Sequence, residues 1–242
     1  KSQNELTYAY LNQIPYRETL KKRLAELWNY EKISAPFKKG KYTYFYKNDG
    51  LQNQSVLYRQ LGDHTPEVFL NPNTFSVDGT TSLGNVSFTQ DGNLLAYSIS
   101  EGGSDWRKVI IMDVASQKIL EDTLVDVKFS GMAWRGNEGF YYSSYEKPQG
   151  SELSAKTDQH KLYFHRLGTS QKEDQVVFGD QFKRRYVGGY LTEDEKFLVV
   201  SAANSTSGNE LYVKDLSASD APFVPILKDF DTDTSILDHQ DG

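Results

Sequence analysis

The residues that could support hydrolytic chemistry do not form a complete catalytic pattern. An α/β-hydrolase places its serine nucleophile in a G-x-S-x-G turn between a strand and a helix, and it needs a histidine base and a carboxylate elsewhere. The nearest match is Gly-Gly-Ser-Asp-Trp at 102–106, which lacks the glycine after the serine and has no helical pattern behind it. We interpret this segment as a loop between strands, so we expect no catalytic residue within these 242 residues.

Metal and cofactor chemistry has no better support. No two histidines have the H-x-x-x-H spacing with which one helix presents two rings to a metal, and we expect them on the surface or in loops. Alternating aspartates at 229–233 imitate the start of a calcium loop, but its glycine and closing glutamate are missing. The absence of cysteine excludes thiolate catalysis and disulfides. We therefore expect no metal and no cofactor. The four histidines are His64, His160, His165 and His239.

The composition of the chain limits the partners and the cellular compartment that we expect for the protein. The net charge is −6 without a basic tail, which argues against nucleic acid as a partner. No run of about 18 apolar residues exists, so no membrane-spanning helix is expected. A chain without cysteine suits the cytoplasm and the periplasm equally, and we expect a soluble protein of one of the two. The high aromatic content of 13% favours strands.

Two hydrophobic periods divide the chain. Within residues 1–30, apolar side chains recur at helical spacing, and Pro15 separates this main helix from a weaker one before it. From residue 41 onward the period is two, with turn residues in between, which predicts strands. The helical stripe consists of Leu20, Leu24, Leu27 and Trp28.

Internal repeats indicate the architecture. The segments 86–98, 132–144 and 189–201 align without gaps: an apolar anchor precedes a polar turn, a new apolar strand starts six residues after the anchor, and a serine follows at ten. A further strand follows each unit. A period of about 40–50 residues with four strands is typical of one β-propeller blade. The anchors are Phe88, Trp134 and Leu191, and the serines are Ser98, Ser144 and Ser201.

With a first blade in 41–70, about four blades are visible. The fold class is therefore mainly β: a partial β-propeller preceded by a short α-helical segment. The polar end at 238–242 reads as a hairpin turn without its second strand, which favours an open arc over a closed four-bladed ring.

Specific strings carry a family resemblance over the whole chain. They are LWNYEKISAPFKKG at 27–40, KNDGLQNQSVLY at 47–58, SEGGSDW at 100–106, VKFSGMAW at 127–134 and HKLYFHRLGT at 160–169. In this order they resemble the prolyl oligopeptidases (serine peptidase family S9A), and the likeness is strongest to bacterial members.

The resemblance implies a two-domain serine peptidase. A seven-bladed propeller caps an α/β-hydrolase domain, whose Ser-Asp-His triad cleaves short peptides after proline, and the cap excludes folded proteins. Residues 1–30 then form the helical segment that packs on the hydrolase domain, and 31–242 form the N-terminal part of the propeller. The triad lies outside this chain, so we expect the segment alone to be inactive and the full-length enzyme to be monomeric.

The resemblance also assigns candidate site residues. Phe129 matches an aromatic that reaches towards the substrate's third residue, and Val187 falls where mammalian members carry a methionine in the same apolar pocket. Asn204 falls where those members carry a peptide-binding arginine, so that charge is missing here. Asp105 and Trp106 match a loop at the domain interface. The alternative for Phe129 and Val187 is an ordinary place in the blade core.

Two other functions compete with this one. Without a visible nucleophile, the chain could be a standalone propeller that binds peptides or proteins without catalysis. A relative of oligopeptidase B is a weaker alternative, because those enzymes prefer basic residues and match the string at 47–58 less closely.

Overall fold

The computed structural model describes residues 2–146, 157–237 and 239–240. Two helices come first, α1 at Ser2–Leu11 and α2 at Arg17–Trp28. The predicted apolar stripe lies on α2, and each of its four side chains is more than half exposed. No described residue of either helix is buried.

The chain divides into two compact units, one built from the helices and the strands up to Gly79, the other from residues 80–242 together with 39–41. The first unit contains an antiparallel sheet in which β1, β3, β4 and β5 are neighbours in that order and β2 also pairs with β3. Its strands are β1 (Lys32–Ile33), β2 (Phe37–Lys39), β3 (Tyr42–Asn48), β4 (Val56–Leu61) and β5 (Glu67–Leu70).

Strands β3 and β4, which lie within the segment 41–70 expected to form the first blade, make a hairpin. Strands β3 and β4 pair from Tyr42 with Leu61 to Lys47 with Val56. At the turn, the Asn48 side chain accepts a hydrogen bond from the Gly50 N–H (2.9 Å) and donates one to the Gln52 carbonyl (3.0 Å). Gly50 has φ = 138°, a backbone conformation that side chains with a Cβ rarely adopt.

The second unit consists of three four-stranded antiparallel sheets, each a simple meander. We number them blades two, three and four, after the first-blade sheet. Blade two contains β6 (Thr81–Phe88), β7 (Leu94–Glu101), β8 (Trp106–Asp113) and β9 (Ile119–Lys128). Blade three contains β10 (Met132–Arg135), β11 (Gly139–Tyr145), β12 (His160–Arg166) and β13 (Gln175–Phe178). Blade four contains β14 (Tyr186–Leu191), β15 (Phe197–Ala203), β16 (Glu210–Asp215) and β17 (Val224–Leu227).

The repeat found in the sequence is the first hairpin of each blade. In blades two and four the anchor is the last residue of the first strand, and in blade three Trp134 is the last but one. The turns of blades two and four also share their hydrogen bonds. Asp91 accepts bonds from the Thr89 hydroxyl (2.7 Å) and the Asn93 N–H (3.0 Å), and Asp194 is bonded in the same way by Thr192 and Lys196.

Neighbouring blades of the second unit share apolar cores. Trp134 is 5% exposed and lies against Phe140, with ring centroids 5.0 Å apart. Its indole Nε1–H donates to the Ser87 carbonyl of β6 at 2.9 Å, and the Ser87 hydroxyl donates to the Met132 carbonyl at 2.8 Å. The core between blades two and three contains Phe140 and Tyr142, and the core between blades three and four contains Tyr141, so the two cores lie on opposite faces of blade three. Buried members of the latter are Tyr141, Leu162, Phe178, Val187, Leu198, Val200 and Ala202.

The predicted hairpin turn at 238–242 includes Asp238 and residues 241–242, which lie outside the described residues. The part of the chain before it ends blade four at Leu227. No described helix is long and apolar enough to cross a membrane.

Candidate functional site

The candidate site residues predicted from the sequence lie at one end of blades two to four. In an antiparallel meander, alternate connections lie at opposite ends of the sheet. The β7–β8 connection ends at Asp105, the β9–β10 connection begins at Phe129, and β14 begins one residue before Val187. Asn204 directly follows β15, whose last residue, Ala203, pairs with the first residue of β14.

Phe129 is an exposed aromatic residue whose ring packs on two other aromatic rings. Its side chain remains 49% exposed. Its ring lies edge-on to the buried Tyr145, with centroids 6.3 Å apart, and 6.0 Å from the ring of Tyr186. Edge-to-face pairs at such distances are the favoured geometry for aromatic rings. The two rings beneath Phe129 come from two blades, since Tyr145 ends β11 and Tyr186 begins β14.

The backbone of Phe129 is in the left-handed region, with φ = 53°. This conformation is uncommon for a bulky residue and persists where surrounding contacts impose it. Two residues before Lys128, Asp126 has a similar φ of 56°. The Ser144 hydroxyl accepts the Lys128 N–H at 3.2 Å and donates to the Asp126 carbonyl at 2.7 Å. Ser144 is one of the repeated serines, and here it holds the end of β9.

Lys128 connects Phe129 with the predicted interface residues. Its ammonium lies 5.1 Å from the ring centroid of Trp106 and 5.1 Å from that of Phe129, which is cation–π geometry. Its Nζ is 3.7 Å from the Asp105 carboxylate, and only 13% of its side chain is exposed. Asp105, Trp106 and Phe129 are therefore parts of one cluster.

His160 is buried at the same end of the blades and contacts residues of all three. Its ring is stacked on Tyr145 with centroids 4.3 Å apart, and the residue is 1% exposed. Nδ1 accepts the Val187 N–H at 2.9 Å, so the ring proton is on Nε2, which donates to the Lys128 carbonyl at 2.9 Å. Burial lowers the pKa of His160 to about 4 and outweighs the hydrogen bond to the Lys128 carbonyl, which favours the protonated ring. The imidazole is therefore neutral at physiological pH.

We call this cluster the Phe129 face, defined as Trp106, Lys128, Phe129, Tyr145, His160 and Tyr186. Tyr145 is fixed from its far side as well, because its hydroxyl donates to the Arg185 carbonyl. Burial raises the pKa of Tyr145 to about 12, so its hydroxyl keeps its proton. The face can hold an apolar or aromatic side chain against an exposed ring, with a cation at its edge.

Two predicted site residues have different surroundings. Val187 is 2% exposed and packs in the core between blades three and four. Its backbone N–H, bound by His160, is its link to the Phe129 face. Asn204 is exposed and lies beside the start of β14. A contact of either residue with substrate stays a prediction.

Most residues of the Phe129 face were not predicted from the sequence. The histidines were expected on the surface or in loops, which is wrong for His160 and His165, both 1% exposed in strand β12. Their positions in an apolar strand pattern were the available signal. Lys128 and Tyr145 adjoin recognised strings, but nothing in their spacing indicates a shared contact with Phe129.

An ion pair stabilises the neighbouring part of blade four. Arg184 Nε and Nη2 donate to the two carboxylate oxygens of Glu210 at 2.6 and 3.0 Å. Glu210 is 6% exposed at its side chain and Arg184 is 21% exposed. The Arg184 carbonyl also accepts the backbone N–H of His160 at 2.8 Å, so the pair supports the same end of the blades.

Within the described ranges, no group of three or more histidine or acidic side chains is placed to hold a metal ion. The Phe129 face contains aromatic rings, one cation and a neutral imidazole. The chemistry it offers is apolar and aromatic recognition.

The chain belongs to the prolyl oligopeptidase family: the model of its N-terminal β-propeller domain matches residues 1–242. Over 236 residues the chain is 61% identical to a prolyl endopeptidase of Elizabethkingia meningoseptica, covering 97% of this chain and 33% of that protein. It is 32% identical to prolyl oligopeptidase A of Amanita bisporigera, covering 90% and 33%.

Solved structures agree with this. Prolyl oligopeptidase B from Galerina marginata, bound to a 35-residue hydrolysis and macrocyclization substrate, superimposes with a TM-score of 0.84 at 26% identity, covering 98% of this chain and 37% of that one. A structure from a study of two prolyl endopeptidases gives a TM-score of 0.75 at 35% identity, covering 93% and 33%. The chain spans about a third of the length of these relatives.

Proposed function

We propose that this chain is the propeller part of a serine-type prolyl endopeptidase that cleaves short peptides on the carboxyl side of proline. The observation that carries the proposal is the Phe129 face: an exposed aromatic ring held at one blade end, in a chain of the prolyl oligopeptidase propeller family. The Ser-Asp-His triad belongs to an α/β-hydrolase domain elsewhere in the same protein.

In this proposal the propeller has two tasks. It limits access to short peptides, and through Phe129 it contacts the substrate's third residue. Asp105 and Trp106, which hold Lys128 beside Phe129, lie where the propeller meets the hydrolase domain. The exposed apolar stripe of α2 suits packing on that domain, since four large apolar side chains share one helix face. We propose that the full-length enzyme is monomeric.

The test uses the full-length protein and matched peptides. An octapeptide with one internal proline should be cut after that proline, while the same peptide with alanine in its place should remain intact. The octapeptide sequence within a folded carrier domain should resist cleavage. The purified 242-residue segment should cut none of them.

Two results would overturn the proposal. Equal cleavage of the proline and alanine peptides would remove the prolyl specificity. Peptide binding by a full-length protein that cuts neither peptide would support the alternative, a propeller that binds peptides without catalysis. Sedimentation velocity of the same sample tests the monomeric state.

A further inference from the structure

We propose that His160 is a positioning residue for the peptide contact of Phe129, an inference that rests on the function proposed above. Its imidazole binds the carbonyl of Lys128, one residue before Phe129, and supports the ring of Tyr145, on which Phe129 lies.

His160 joins three blades at one point. It is the first residue of β12 in blade three. Its Nε2–H donates to the last residue of blade two, Lys128, at 2.9 Å. Its Nδ1 accepts from Val187 of blade four at 2.9 Å, and its own N–H donates to the Arg184 carbonyl at 2.8 Å. A change at His160 is therefore expected to disturb its contacts with blade two at Lys128 and with blade four at Val187 and Arg184.

The position requires the properties of a neutral imidazole. One side must donate to a carbonyl, the opposite side must accept from an N–H, and a flat face must support Tyr145. Glutamine keeps a donor and an acceptor but lacks the ring, whereas phenylalanine keeps the ring but leaves both backbone groups without their side-chain partner. A buried polar group that loses its partner is costly, so the backbone is expected to shift.

Phe129 is sensitive to such a shift because its left-handed backbone depends on its surroundings. Released from the Lys128 carbonyl bond, the end of β9 can relax and turn the ring away. The reacting bond is not part of this chain's contacts, so the loss is expected in substrate binding and not in the chemical step.

The experiment measures kcat and KM of the full-length protein for two peptides that differ only at the third residue, one apolar and one glycine. The variants are His160→Phe, His160→Gln and Phe129→Ala. His165→Gln is the matched control, because His165 is equally buried on the same strand but pairs with Asp174, away from the Phe129 face.

We expect His160→Phe to raise KM about fivefold to tenfold for the apolar peptide with kcat nearly unchanged, since only binding geometry is altered. The glycine peptide should change less than about twofold, and His160→Gln should recover part of the loss. In a Phe129→Ala background, His160→Phe should have no further effect. The control should leave the ratio between the two peptides as in the wild type.

The inference would be overturned if His160→Phe affected both peptides equally or lowered only kcat. It would also be overturned if the losses from His160→Phe and Phe129→Ala were additive, or if His165→Gln changed the ratio between the two peptides in the same way. If Phe129→Ala alone leaves the peptide ratio unchanged, the proposed peptide contact fails instead. Should His160→Phe not fold, His160→Gln decides: a wild-type ratio contradicts the positioning role, and a two- to threefold smaller ratio supports it.

Discussion

Protonation of His160 must break the hydrogen bond that its Nδ1 accepts from the Val187 N–H, because an imidazolium has no acceptor. The charged ring would also be buried at 1% exposure. Both effects oppose protonation in the folded state. We therefore predict that the protein loses stability in mild acid through this one side chain.

The magnitude follows from the two pKa values. The pKa of His160 is about 4 in the folded protein and 6.5 for an ordinary histidine. Between these values the unfolded chain binds one more proton, so the free energy of unfolding falls as the pH falls. The stabilisation is complete above pH 6.5 and is lost as the pH approaches 4. At about 1.4 kcal/mol per pH unit, the loss from pH 7 to pH 5 is about 2 kcal/mol.

The assay is urea unfolding of wild-type protein and His160→Gln at pH 7 and pH 5. Glutamine cannot titrate, and His64, His165 and His239 are common to both proteins, so their contributions cancel. Arg184, before β14, keeps its charge over this range, because its hydrogen bonds to Glu210 raise its pKa. Wild type should lose about 2 kcal/mol more than the variant on acidification. An equal loss in both proteins would refute the buried neutral imidazole.

Three further predictions concern the same end and blade. Phe129→Ala should lower kcat/KM about tenfold for peptides with an apolar third residue: the exposed half of the ring is about 100 Å², and covering half of that contributes about 1.3 kcal/mol. Glu210→Gln should lower the free energy of unfolding by about 1–2 kcal/mol in urea, because Arg184 keeps its charge beside a neutral amide. Gly139→Ala should lower it by about 2–3 kcal/mol, because its Cβ would overlap the His165 carbonyl oxygen, and calorimetry should show a lower Tm.

Much of the fold was predictable because each blade repeats a local pattern. An apolar anchor, a polar turn and a new apolar strand recur around Phe88, Trp134 and Leu191, and pairing within a meander needs only neighbouring strands. The turn around Asp91 shows why: the bonds that its carboxylate accepts from the Thr89 hydroxyl and the Asn93 N–H join residues only two apart. Such contacts can be inferred from a single stretch of sequence.

The Phe129 face was less predictable because its contacts cross blades. Lys128 and His160 are 32 residues apart, and His160 and Val187 are 27 apart. Neither distance follows from strand periodicity. Resemblance pointed to Phe129, but only the register of β11 and β12 places His160 beside Tyr145, and only packing between blades places both beneath Phe129.

The most direct test of the account is a photo-crosslinking measurement on the full-length protein. A proline peptide with an uncleavable bond after proline carries benzoylphenylalanine as its third residue, and mass spectrometry maps the attachment site. Attachment is expected within the Phe129 face, at Phe129 or Tyr186, and it should be lost on competition with the unlabelled peptide. Competable attachment at the opposite blade end, around the Asp91 and Asp194 turns, would contradict it.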